Sequence, residues 1–285
     1  MSDEVEEVDL GIAGRVGPHK ESHEPRLKAL ELLSVGVVAQ PGYHQWSGVQ
    51  PIGNRWGMAY NAQLGCCGFS AWQHYNAAIA AFYREPWKLV RETAWLPQYP
   101  RLDLAYYAYG ISQGEPGPNP DQGVTNAGML GWAYKLGLIG GYAEVPIEYA
   151  DWFAMTFHGA IVGQDLDGNQ AISDFQAHPR IPWRAMGKTD GHDTLLIEGD
   201  GQGNGGMVTW GGVQPFDVSY RQNNWTDVWV IIDREDPLVD QAALQEALTS
   251  VHGVVVNTPV ETPSGGFWGR LERYVEEEFA KLSVA

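Results

Sequence analysis

A chain of 285 residues with 44% hydrophobic residues is long enough to close one large globular core with appendages. Its 18 Lys and Arg stand against 35 Asp and Glu, a formal charge of −17 that repels phosphate backbones, and with no basic run in the sequence nucleic acid is excluded as an expected partner. The opening "MSDEVEEVDLG" lacks the basic start and apolar run of a secretory signal, and no stretch approaches the ~20 apolar residues that cross a bilayer, so synthesis in a reducing cytoplasm, away from membranes, is expected.

In chain order, residues 1–25 read as an acidic, polar N-terminal arm, and "SVGVVAQPGYHQWSGVQPIGNRW" alternates valines with turn residues as short strands or an irregular lead-in do. From Gly68 the period becomes helical: Trp72, Tyr75, Ile79 and Phe82 fall on one face, with alanines between them, and the helix ends near "REPW". A second helical piece covers "LDLAYYAYGI"; a Pro/Gly loop, "SQGEPGPNPDQG", leads to a helix in "VTNAGMLGWAYKLGLIGG" with Thr125 as its N-cap. After that the pattern turns to strands in "GAIVGQDL", "DTLLIEGD", "GMVTWGG" and "DVWVIID". Helices first and sheet second make the fold α+β, with a folded domain over residues 26–235. Beyond it, residues 236–252 predict a helix, 253–266 a linker and 267–285 an amphipathic helix with the stripe Trp268, Leu271, Val275, Phe279 and Leu282, which packs either on its own domain or on a partner.

The chain's two cysteines, Cys66 and Cys67, are adjacent in "NAQLGCCGFSAWQHYN". Neighbouring Cα atoms lie closer than a relaxed disulfide wants, so both thiols are expected to be free. A thiol at a helix N-terminus faces unpaired N–H groups and the positive end of the helix dipole, which lower its pKa and make it a candidate nucleophile. His192, in "GHDTLLIEGD", supplies a candidate base, and Asn61 or Gln63 a side-chain amide for an oxyanion. Taken singly, the same residues also read as two small buried hydrophobes and a satisfied strand-end histidine.

Other patterns lead nowhere catalytic. "GDGQGNGG" is glycine-rich like a phosphate loop but precedes a strand, which makes it a hairpin turn. "DLDGNQAISDFQ" fails as a calcium loop because Gln170 stands at the turn glycine and Gln176 at the bidentate glutamate. No HExxH occurs and tandem cysteines do not space zinc ligands, so neither metal nor cofactor is expected.

The succession N-x-x-x-G-x-C, an Ala- and aromatic-rich helix, G-H followed by apolar residues and a glycine, and then T-W-G resembles the papain-like cysteine peptidase fold. It is most similar to a divergent group of papain-like proteins found in bacteriophage genomes, over residues 55–232. The resemblance implies Cys67 as nucleophile with Cys66 a bystander, His192 as base, Asn61 in the place of the oxyanion glutamine, and Trp210 and Gly211 as the pair that covers the histidine's partner. One position departs from the pattern: Val208 stands where such peptidases commonly carry the asparagine that orients the imidazole, leaving a bare dyad or help from Asp193, Thr209 or another aspartate. Three functions are then open. The first is a thiol hydrolase acting on a peptide or isopeptide substrate. The second is a catalytically silent structural protein of a phage particle, in capsid or tail, binding partner subunits through its arm and C-terminal helix. The third is a host-directed modifier of ubiquitin-like or cell-wall peptides.

Overall fold

The computed structural model describes residues 27–28, 56–57, 61, 64–83, 106, 109–110, 123–135, 139–178 and 180–232. The expected N-terminal arm, the helix over 236–252, the linker and the C-terminal helix lie outside them.

Helix α1 (Cys67–Tyr83) starts at the cysteine pair, with Ser70 N–H bonded to the Cys66 carbonyl at 2.9 Å. Its apolar stripe is buried at Trp72, Tyr75 and Ile79, and the Tyr75 hydroxyl reaches across to the Ile231 carbonyl at 2.8 Å. Helix α2 (Asn126–Lys135) is capped as expected: Thr125 Oγ1 accepts from Gly128 N–H at 3.1 Å, satisfying one of the donors a helix start leaves open. The two helices meet around Phe69, whose ring lies 6.1 Å from Trp72, 5.8 Å from Tyr106, 5.9 Å from Tyr109 and 5.9 Å from Trp132. Tyr106, Tyr109 and Gly110, the described part of the helix expected in "LDLAYYAYGI", are helical.

The second half is a sheet. Strands β2 (Gly141–Glu144), β3 (Ala160–Leu166), β4 (Asp190–Gly199), β5 (Gly205–Thr209), β6 (Gly212–Phe216) and β7 (Trp225–Ile232) pair antiparallel in the order β2-β7-β3-β4-β5-β6. The two-residue strand β1 (Leu27–Lys28) adds in parallel to the outer edge of β2. The last of the described strands in sequence thus enters the middle of the sheet, between β2 and β3. The chain is α+β, and the strand-rich runs of the sequence fall on β3, β4, β5 and β7. Residues 200–204 join β4 to β5 as a hairpin turn, as "GDGQGNGG" implied.

Three short helices interleave with the strands and have no counterpart in the sequence reading: α3 (Ala150–Thr156), entered through a 3-10 turn at Ile147–Tyr149, α4 (Gly168–Ala177) and α5 (Val218–Asn224). Three strands, β1, β2 and β6, were likewise not signalled. The calcium-like stretch runs from the end of β3 through most of α4, and the Asp167 side chain between them caps the helix by accepting from Gln170 N–H at 3.0 Å. Helix α5 is capped by Asp217, whose Oδ1 accepts from Ser219 N–H at 2.9 Å and Tyr220 N–H at 3.0 Å, while Arg184, 82% exposed, sits 3.6 Å from its other oxygen. Asp217→Ala should therefore lower stability by about 1–2 kcal/mol through the lost cap, whereas Arg184→Ala should stay within about 0.5 kcal/mol because an exposed pair contributes little. Urea midpoints at unchanged m-values check both.

Candidate functional site

Successive side chains of a strand point to opposite faces of its sheet, and in β4 His192 and Asp193 are successive. Asp193 faces α1 and α2. It pairs in register with Gly163 of β3, which pairs with Asp227 of β7, so the two carboxylates flank a glycine on one face. Gly163 is required there: a Cβ would stand 2.6 Å from Asp227 Oδ1. Asn126, the first residue of α2, spends both amide hydrogens on the row, donating from Nδ2 to Asp193 Oδ1 at 2.7 Å and to Asp227 Oδ1 at 3.1 Å. Trp229 Nε1 adds a third donor, 2.8 Å from Asp227 Oδ1.

Cys67, buried at the first turn of α1, donates its thiol hydrogen to Asp193 Oδ2 at 3.4 Å. Gly68 permits the approach, since a Cβ there would lie 2.6 Å from Val124 Cγ2 and 3.3 Å from Asp193 Oδ2. The expectation that the helix start lowers the thiol pKa is overturned: burial, and after it the Asp193 charge, push it well above the ordinary thiol range. Magnitudes explain the outcome. A helix N-terminus favours an anion by about 0.3–2 kcal/mol, while a second negative charge about 4 Å away costs on the order of 4 kcal/mol near a protein surface. The negative charge at this helix end already sits on Asp193, and Cys67 stays a neutral donor.

His192 projects to the opposite face, toward α4 and α5. Its Nε2 lies 2.8 Å from Thr209 Oγ1, and Trp210 stacks on the ring with centroids 5.0 Å apart and planes at 26°. Trp210, at a φ of 43°, packs in turn against Phe175 and Trp183. Nδ1 of His192 is buried without a hydrogen-bond partner, and burial, with His74 adding to it, lowers the pKa to about 3. Thr209 and Trp210 thus attend the imidazole, but no hydrogen bond joins it to Cys67. Of the candidate oxyanion donors, Asn61 is buried in a turn ahead of α1 and its Oδ1 has no partner, and Gln63 lies outside the described residues. Val208 is buried in β5 opposite Leu195.

The sequence reading missed Asn126, Asp227 and Gly163. Gly163 carried the one usable signal, a glycine inside an apolar strand, which marks a close approach. Among the described residues no three His, Cys, Asp or Glu come together as a metal-binding group, and no helix is long and apolar enough to cross a membrane. Comparison with family models, with curated proteins and with solved structures found no match.

Two buried imidazoles make stability pH-dependent. His74, with Nε2 2.9 Å from the Gly57 carbonyl, is lowered to about 4 by burial, and His192 to about 3. Both folded-state values lie below the unfolded value of about 6.5, so the unfolded chain takes up protons first as pH falls. Their contribution is complete above pH about 6.5 and declines below it, by up to about 1.4 kcal/mol per pH unit for each histidine. Urea titrations between pH 7 and 4.5 should show this decline, and imidazole proton resonances of the folded state should stay neutral over the same range.

Proposed function

We propose that this chain is a catalytically silent protein of papain-like build, working as a structural component of a phage particle, in which the Cys67 region joins two halves of the domain. The observation that carries the silent reading is the Cys67 thiol bonded to Asp193 while His192 occupies the opposite face of the sheet. A carboxylate beside the thiol offers a thiolate no positive partner, and the one imidazole the sequence offered bonds Thr209 instead. The papain-like assignment is supported by the order of the Cys-helix, G-H strand and T-W-G segments and by the α+β layout of helices ahead of an antiparallel sheet. The phage assignment rests on the resemblance of those segments to phage papain-like proteins, and it gives the arm expected over 1–25 and the helix expected over 267–285 the role of holding partner subunits.

Thiol reactivity tests the silent reading. In a Cys66→Ser background, alkylation of Cys67 by iodoacetamide, followed by mass spectrometry from pH 5 to 10, should be slow and rise only in the alkaline range, with the profile unchanged by His192→Ala. Asp193→Asn, which removes the carboxylate charge, should move the rise toward the ordinary thiol value of about 8.5. A wild-type profile with an apparent pKa well below that of a free thiol, lost on removing His192, would overturn the proposal and establish a thiol hydrolase. The wild-type profile decides on its own if the histidine variant fails to fold.

A further inference from the structure

The 3-10 turn and first residues of α3, the β4–β5 hairpin and α5 line a recess of about 790 Å³ that none of the residues of the carboxylate row borders. That volume lies within the range of small-molecule sites. Its floor is a buried ion pair: Arg221 Nη1 donates to Asp151 Oδ1 at 2.6 Å, with both side chains under a tenth exposed. The second terminal nitrogen of Arg221 donates to the Ile147 carbonyl.

The glycine-rich hairpin is one wall, and it is fixed on both sides. Asp151 Oδ2 accepts from Gly201 N–H at 3.2 Å, and Asp151 stands so near Gly199 that a Cβ there would meet its carboxyl carbon at 2.6 Å. On the other side Val218 N–H donates to Asn204 Oδ1 at 3.1 Å, and Gly203, at a φ of 100°, leaves room for Val218 that a side chain would take. A wall tied to both neighbouring helices is present before any ligand arrives, which lowers the ordering cost of binding.

The lining chemistry narrows the occupant. Tyr149, 53% exposed, and Val218, 37% exposed, are two of the large hydrophobic side chains that the described residues leave in solvent, and both stand at this recess beside the half-buried Trp152. Around them Glu148, Gln202 and Gln222 present planar polar groups that make no hydrogen bond among the described residues. The Arg221 guanidinium is neutralised and both terminal nitrogens are engaged, so among the described residues the recess offers no free cation for a phosphate or carboxylate. It is bounded by helices and a hairpin tip, with no open strand edge on which a peptide would pair its backbone. Aromatic faces suit the apolar side of a sugar ring, and planar amide and carboxylate groups suit its hydroxyls.

We infer that this recess binds a neutral saccharide of one or two rings, with Tyr149 and Trp152 against the ring faces and Gln202, Gln222 and Glu148 on the hydroxyls. The site is separate from Cys67 and stands whether or not that thiol is silent. Saturation-transfer NMR on the full-length protein with millimolar cellobiose and N,N′-diacetylchitobiose tests it, with an acetylated and amidated apolar tetrapeptide as the competing probe. Transfer to a disaccharide is expected. It should weaken by about tenfold in affinity in Tyr149→Ala, the scale of one aromatic contact, and fall again in Gln202→Ala; both positions are exposed, and circular dichroism confirms that the variants fold. No transfer to either sugar, transfer unaffected by both substitutions, or transfer to the tetrapeptide alone would each overturn the inference.

Discussion

The row Asp193–Gly163–Asp227 is where the helical half of the domain is fastened to the sheet. Two strands supply the carboxylates, a third supplies the glycine that lets them lie flat, and each helix contributes its first residue: Cys67 from α1 and Asn126 from α2. Apolar burial holds the helices down, but burial is non-directional and would tolerate sliding. Hydrogen bonds to a charged acceptor are each worth roughly 1.5–3 kcal/mol and depend on direction, so they set where along the sheet each helix begins. Both helix starts also place their positive dipole ends against these anions, which favours the same arrangement.

That fastening decides the chemistry of the thiol. A catalytic cysteine needs a neighbour that stabilises the thiolate, and its neighbour here is an acceptor that stabilises the thiol. The imidazole on the same strand has the reverse environment, buried under Trp210, which Phe175 and Trp183 back in turn, and its pKa is lowered by burial. The thiol is bonded to Asp193 and the imidazole to Thr209, on opposite faces of β4, and no hydrogen bond joins the two.

How much of this could be read beforehand depends on what each pattern encodes. The α1 stripe and the Thr125 cap were legible because helical period and capping are local, and the hairpin at residues 200–204 because glycine in a turn is local too. The facing of His192 was not. In β4 Leu195, Leu196 and Ile197 are all fully buried, since both sides of the sheet are covered, and a strand covered on both sides shows no alternation from which to read its phase. Whether the histidine or the aspartate meets α1 is therefore settled by register with β3, through Gly163, and register is a property of the pairing. Helices α3 and α5 run for seven residues each, too short for a periodic stripe, and β6 carries Pro215, which weakens its strand signal.

The two regions differ in how their polar groups are used. In the carboxylate row, four hydrogen bonds from Cys67, Asn126 and Trp229 converge on two carboxylates, and a substrate entering there would have to break bonds that hold the helices in place. In the recess beside α3 and α5 the buried ion pair and the glycine hairpin satisfy one another beneath the surface, while the side chains at the lip are left uncommitted. A joint must consume its hydrogen bonds to be rigid, and a binding site must keep some of its own unspent on a rigid base. By that criterion the thiol lies in the joint, and the uncommitted polar groups lie at the recess beside α3 and α5, short helices that the periodicity of the sequence did not announce.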